Sequence, residues 1–227
     1  MTGSPERPER RYGGQSAEQR RADRQRRLLD AGLELYGTRG FRATTVTDLC
    51  RAAAVAPIHF YEEYSGRESL LQAVYEEVMA TTRAEVDAAL AAHPLDFRAR
   101  SRAGLAAFCH TMLDDPRRAR VQCVEIVGVS SAMEALRHQG LLRYAALVVE
   151  SFFLTRPEGD RTDASAGVAA LETIPALRSM AIALVGGVNE AIVDWLQEPG
   201  RQAVDELVDA LSDMFIATGE YLSGELG

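Results

Sequence analysis

The chain has 227 residues, of which 47% are hydrophobic and 26% are charged, as in an ordinary globular protein of one large domain or two unequal ones. Its formal net charge of -8 argues against a nucleic-acid partner, but residues 1–71 carry more arginines than acids, so the amino-terminal third is its basic part. The start is polar rather than a signal peptide, and we expect no apolar run long enough to span a bilayer. We therefore expect a soluble, cytoplasmic protein without a membrane partner.

Several classes of chemistry lack their sequence signals. The three cysteines, Cys50, Cys109 and Cys123, are far apart and lie in apolar helical contexts, which is typical of buried thiols rather than of zinc sites or disulfides. There is no metal-ligand spacing, no phosphate-binding glycine loop and no nucleophile elbow. We expect no metal, no cofactor and no enzymatic activity.

Helical signals follow one another along the chain. Residues 1–15 combine Pro, Gly and charge with little to bury, and are predicted to form a disordered arm. Ser16, Thr45 and Ser65 each precede a Gln, Asp or Glu by three residues, the spacing of a capping box at a helix start. Gly40 is placed to end the first helix. No alternating strand pattern appears, so the chain is predicted to be all-α.

The segment from the second to the third short helix carries the functional signal. Two short helices joined by a tight turn, with Pro57 opening the second, form a helix-turn-helix in which the second helix enters the major groove of DNA. The stretch "RLLDAGLELYGTRGFRATTVTDLCRAAAVAPIHFYEEYSGRESLL" resembles the tetracycline-repressor (TetR) family over about residues 20–71. The predicted units are residues 1–15 (arm), 16–66 (helix-turn-helix domain) and 67–227 (a larger helical domain).

The resemblance implies a set of DNA contacts. Thr45 and Thr47 would approach phosphate or a base edge; Pro57, Ile58 and His59 would face bases; and Tyr61 and Arg67 would contact phosphates. Ala54 stands where the family usually has a turn glycine, and Ala56 where it often has a capping hydroxyl. Glu62 and Glu63 lie on the recognition helix, where a carboxylate weakens DNA binding unless it accepts from cytosine or pairs with an arginine. We favour pairing or simple tolerance.

The stretch "RRADRQRR" ahead of this segment has two interpretations. It can follow phosphates or a minor groove, or it can be an ordinary solvated helix face. Both remain open at this stage.

The sequence predicts less about the larger domain. The resemblance implies ligand binding, and dimerisation through a four-helix bundle. Two long apolar helices near the end of the chain, from about 175 to 197 and from 202 to 222, independently support a bundle, because such helices usually bury each other or a partner. The expected interface residues are Leu184, Val188, Ile192, Trp195, Leu207, Leu211, Met214 and Phe215. The candidate ligand-pocket residues, each of which can instead be ordinary core, are Phe108, Cys109, Met112, Met133, Tyr144, Phe152 and Asn189.

The sequence therefore predicts a homodimeric transcriptional regulator, most simply a repressor. It would bind a palindromic double-stranded DNA operator and release it when a small-molecule effector occupies the larger domain. The alternative is a helical ligand sensor or protein-interaction module that has lost operator binding through Glu62 and Glu63, and an enzyme is the third possibility.

Overall fold

The computed structural model describes residues 16–93, 96–155, 169, 171–198, 200 and 202–225. No strand occurs in these ranges, which confirms the all-α prediction, whereas the arm of residues 1–15 lies outside them. The helices in chain order are α1 (Ala17–Thr38), α2 (Val46–Ala53), α3 (Pro57–Glu63), α4 (Arg67–Ala91), α5 (Phe97–Leu113), α6 (Pro116–Arg120), a π-helical segment (Val121–Glu125), α7 (Ser131–Leu154), α8 (Pro175–Gln197) and α9 (Val204–Glu225).

Two of the three predicted capping boxes are confirmed. The Ser16 hydroxyl accepts from Gln19 N–H at 3.0 Å, and the Thr45 hydroxyl accepts from Asp48 N–H at 3.2 Å. The third prediction was wrong: α4 begins one residue later, after Gly66, whose N–H donates to the Ser69 hydroxyl at 3.2 Å. The hydroxyl of Ser69, inside the first turn of α4, takes the place of the predicted Ser65 cap in front of the helix. The carboxylate of Glu68 is therefore not needed to complete a capping box.

The turn between α2 and α3 holds an alanine in a left-handed conformation. Ala54 has φ 51° and ψ 46°, a region that costs an L-residue roughly 1–2 kcal/mol and is usually left to glycine. Arg27 of α1 stabilises this turn, because its Nη1 donates to the carbonyls of Ala53 and Ala54 at 2.9 and 3.0 Å. Gly40, at φ 91°, ends the α1 region as predicted.

The core formed by α1, α2 and α3 continues into the rest of the chain. Leu28, Tyr36 and Phe60 are fully buried together with Leu70 and Leu71 of α4, and Val121 and Ile126 join the same cluster. Contact is closest at Gly37, where an added Cβ would lie 2.4 Å from the Cβ of Arg117 on α6. Arg117 also donates to Glu34 of α1 at 2.6 Å, so packing and an ion pair join α6 to α1.

In the larger domain, α5 packs between α4 and α9, and α7 packs against α8. The last two helices touch each other little, so each buries its apolar face mainly against its own chain. The core of the chain itself buries five of the eight expected interface residues, so the interface stays a prediction; these five are Val188, Ile192, Leu207, Leu211 and Phe215. Leu184 and Trp195 are partly buried against that core, and only Met214 is classed as exposed, at 38%.

Helix α8 is more apolar than the sequence analysis allowed. Its mean hydropathy of 1.4 over 18 residues is enough to cross a membrane by length and composition, and only 28% of that window is buried within the chain. The expectation of no run of that length was therefore wrong. The buried residues of α8, from Leu177 to Ile192, pack on helices of the same domain, as in a core helix of a folded protein.

Candidate DNA-binding surface and ligand cavity

The recognition helix α3 presents an apolar and an aromatic side chain to solvent. Ile58 is 69% exposed and Tyr61 is 60% exposed, whereas Phe60 points inward and is fully buried. Thr45, Thr47 and Pro57 are exposed near them, and His59 is half-buried. The structure thus brings all the predicted contact residues except Arg67 to one accessible surface, formed by α3 and the start of α2.

The acidic pair on α3 is divided by its surroundings. The side chain of Glu63 is 1% exposed, and its carboxylate accepts from Arg21 Nε at 2.9 Å and from Gln25 Nε2 at 2.7 Å, both on α1. Glu62 is exposed, with its carboxylate 2.8 Å from His59 Nδ1, and this hydrogen bond is the main reason that its pKa is lowered. Pairing is therefore the outcome for both, and Glu63 is removed from the accessible surface.

The arginines of "RRADRQRR" are largely engaged within the protein. Besides Arg21 and Arg27, Arg24 lies 3.7 Å from Glu63, and Arg26 pairs with Glu77 of α4 at 2.6 Å. These contacts fit neither earlier interpretation fully, because the arginines are neither simply solvated nor free to follow phosphate. They fasten α1 to α3 and α4, and so orient the recognition helix.

Arg67 is half-buried, and its guanidinium is engaged by the loop before α2. Its Nη1 donates to the carbonyl of Thr44 at 2.7 Å, and its Cζ lies 4.8 Å from the centre of the Phe41 ring. This arrangement holds the loop before α2, so any phosphate contact by Arg67 stays a prediction. Sequence reasoning did not single out Arg42 and Arg51, which are exposed on either side of α2. Their signal was only their charge, which many other arginines share.

The larger domain contains an apolar cavity of about 80 Å³ between α4, α5, α7, α8 and α9. Of the predicted pocket residues, Phe108, Tyr144 and Asn189 line it, with the Phe108 and Tyr144 rings in an edge-to-face contact of 5.2 Å. Cys109 and Met112 pack behind Phe108 in the same core cluster, Met133 belongs to the core beneath α1 and α4, and Phe152 lines a smaller neighbouring cavity. Sequence reasoning missed Arg100, which also lines the cavity of Phe108 and Tyr144.

The three thiols are unpaired, as expected: Cys50 and Cys109 are buried and Cys123 is partly buried. Burial raises the pKa of Cys109 to about 12. Within the described ranges, no group of three or more His, Cys, Asp or Glu side chains is placed to hold a metal ion.

Comparison with known proteins shows which family and which solved structures this chain resembles. Residues 28–74 match the family of bacterial regulatory proteins described as the tetR family, and no curated protein matches the chain. Among solved structures, the fatty acid degradation regulator FadR of Bacillus halodurans is similar over 85% of this chain and 94% of its own, with 15% identity and a TM-score of 0.68.

FadR of Bacillus subtilis, solved in complex with stearoyl-CoA, is similar over 84% of this chain and 96% of its own, with 14% identity and a TM-score of 0.67. A regulator from Pseudomonas aeruginosa covers 95% of this chain and 97% of its own, with 21% identity and a TM-score of 0.60. Such low identities show the shared fold, while the helix-turn-helix carries the family match. Residues 28–74 therefore form a helix-turn-helix DNA-binding domain of the tetR family of bacterial regulatory proteins, in a chain that has the fold of these solved regulators.

Proposed function

We propose that this regulator is a cytoplasmic homodimer that represses transcription from a palindromic operator and releases DNA when a small molecule enters the larger domain. The observation that carries the proposal is the surface of α3, where Ile58 and Tyr61 are exposed while Glu63 is turned inward. A purely structural helix would gain more by burying Ile58 and exposing Glu63. This arrangement also weakens the alternative of a module that has lost operator binding, because that alternative depended on both acids facing DNA.

Each exposed side chain suits a different part of DNA. Ile58 would contact a thymine methyl, and Tyr61 would donate its hydroxyl to a phosphate. His59 would read a base edge through the ring nitrogen not engaged by Glu62. Thr45 already donates to Asp48 at 2.5 Å, so Thr47 is the freer hydroxyl of the pair at the start of α2.

Selection of bound fragments from random DNA, followed by titration of variants, tests this assignment. Tyr61→Phe should weaken binding to all sequences alike, whereas His59→Ala should relax preference at particular base pairs, because phosphate contacts position and base contacts specify. Arg42→Ala is the matched phosphate-side variant and should lower the salt dependence of binding. Equal, sequence-independent losses from His59→Ala and Tyr61→Phe would contradict the role of His59.

Dimerisation would use the outer faces of α8 and α9 rather than the residues buried inside the chain. Gly186 leaves open space on α8, and an added Cβ at Gly187 would lie 3.9 Å from the methyl group of Met214. Met214 and Tyr221 are 38% and 62% exposed on α9. Together with the low burial of α8, they form an apolar face that a second copy can cover. Two recognition helices held about 34–36 Å apart would then enter successive major grooves.

Light scattering tests that face. Met214→Arg should convert the dimer to a monomer at micromolar concentration, because it places a charge on an apolar contact. Ala84→Arg on the exposed side of α4 adds the same charge away from the face and should leave the dimer intact. A dimer that survives Met214→Arg unchanged would exclude this face.

A connected set of contacts would transmit ligand binding to DNA. Asn189 lines the cavity, and its Oδ1 lies 4.0 Å from the Cys123 thiol of the π-helical segment. At the end of the same segment, Glu125 accepts from Phe41 N–H at 2.7 Å, in the loop before α2. A ligand that displaces this segment would therefore move the loop that positions the helix-turn-helix. The complex of the Bacillus subtilis relative with stearoyl-CoA supports a small-molecule effector.

A further inference from the structure

An arginine is buried in the wall of the otherwise apolar cavity. Arg100 of α5 is 6% exposed and lies among Leu105, Phe108 and Val148, which also line the cavity. Burying a cation beside apolar walls is costly unless the charge is paired and hydrogen-bonded. A residue type placed there at such a cost needs a reason.

The contacts of Arg100 within the chain use only part of its hydrogen-bonding capacity. Its Nη1 donates to the Leu90 carbonyl at 2.9 Å near the end of α4, and its Nη2 donates to the Ser151 hydroxyl at 3.3 Å. All of these acceptors are neutral. Among the described residues, no carboxylate lies within 4.0 Å of the Arg100 guanidinium, and the charge of Glu150 on α7 acts on it only from farther away. The buried Nε of Arg100 has no hydrogen-bond partner.

A second polar atom of the same cavity is also unsatisfied. The hydroxyl of Tyr144 is buried and has no hydrogen-bond partner, although Tyr144 lines the cavity. Burial raises the pKa of Tyr144, so at neutral pH this hydroxyl is a neutral donor. Tyr144 lines the cavity of Arg100 and also a neighbouring cavity beside Tyr75 and Arg83. Arg100 and Tyr144 thus each have hydrogen-bonding capacity that the chain leaves unused.

We propose that the effector is an apolar monocarboxylate whose carboxylate pairs with Arg100, with the Tyr144 hydroxyl as a second donor. This inference rests on the proposed ligand cavity and names its ligand class. One guanidinium compensates one negative charge, so a monoanion fits better than a phosphate dianion, and a planar carboxylate matches the fork of an arginine. Phe108 and Val148 would cover the apolar part of the ligand, and the cavity of about 80 Å³ must widen to admit a longer one.

Calorimetry on the full chain tests the ligand class directly. Butanoate, octanoate and dodecanoate are each titrated beside the matching primary alcohol, and octanoyl-CoA is included because its thioester replaces the carboxylate. At least one carboxylate should bind roughly tenfold or more tightly than its alcohol, since a hydrogen bond to a charged group is the strong kind. Failure of all three carboxylates to bind, or equal or tighter binding of the alcohols or of octanoyl-CoA, overturns the inference.

Variants separate a ligand-binding arginine from a structural one. Arg100→Met should remove the preference for carboxylate over alcohol, Arg100→Lys should restore part of it, and Arg102→Met is the control, because Arg102 is an exposed arginine of the same helix that pairs with Asp209. If Arg100→Met does not fold, Arg100→Lys with Tyr144→Phe carries the test: both should weaken carboxylate binding and spare the alcohol. An unchanged preference in all of these variants overturns the inference.

Operator binding is measured in parallel on a selected DNA fragment. A carboxylate that binds through Arg100 but leaves operator affinity unchanged would refute the proposed release of DNA, while the ligand class stands. An alcohol that releases DNA where no carboxylate does would refute the ligand class, while the proposed release stands.

Discussion

The division of the acidic pair makes a quantitative prediction for Glu63→Gln. The side chain keeps its shape, but the charge that holds Arg21 and Gln25 of α1 is lost at a site only 1% exposed. A hydrogen bond to a charged group contributes about 1.5–3 kcal/mol, and because Arg21 is more than half exposed, water will replace part of that contribution. We expect a loss of about 1.5–2 kcal/mol, which for a chain of this size lowers Tm by roughly 3–8 °C.

Circular dichroism and urea denaturation measure that loss of stability. Fluorescence anisotropy at low salt measures the affinity of each variant for non-specific DNA. Glu62→Gln should leave stability nearly unchanged and raise non-specific affinity a few-fold, because its carboxylate is exposed beside the DNA-facing side chains. Glu85→Gln is an exposed control with the same change of charge, far along α4. If Glu63→Gln raised DNA affinity as much as Glu62→Gln without loss of stability, the reasoning about its burial would be wrong.

Two further predictions concern the larger domain. Glu125→Ala leaves the loop amide before α2 without its acceptor and should weaken operator binding roughly fivefold or more; Glu134→Ala, which frees a comparable backbone amide at Gly128, should not, and equal losses would contradict the coupling route. Hydrogen bonds to Asp114 and Asp205 raise the pKa of His110 above 6.5, so their stabilisation is complete below pH 6.5 and is lost as pH rises through the raised pKa. Urea titrations at several pH values should show this loss, at most about 1 kcal/mol, and His110→Asn should remove it.

The helix-turn-helix was readable from sequence because its signals are local. The Thr45 cap, the Pro57 start and the inward Phe60 depend on residues within one or two turns, and the structure places them as predicted. The fate of Glu63 depends instead on Arg21, forty-two positions away, and no local pattern reveals that distance. The contact of Arg67 was equally unpredictable. It donates to a carbonyl of the loop between α1 and α2, and the sequence indicates where that loop begins and ends but not its conformation.

The larger domain was harder to predict because apolar periodicity does not say what covers an apolar face. Val188 of α8 and Phe215 of α9 have the spacing expected of an interface, yet both are buried in one core cluster within the chain. The burial of Arg100 was not predicted because a helical pattern does not show which polar residues the fold will bury. From sequence alone, an arginine in a helix is expected to face solvent, and only the fold shows that Arg100 lies beside Phe108 and Ser151.

The tight contact at Gly37 determines how a signal can pass between the two domains. With an added Cβ only 2.4 Å from Arg117, the two backbones have no slack between them, so α6 cannot approach α1 further, and its ion pair to Glu34 resists separation. A displacement of α6 must therefore carry α1 with it. Since α1 also contacts the α2–α3 turn through Arg27 and α3 through Arg21, we expect a displacement of α1 to move α3 with it as one rigid unit.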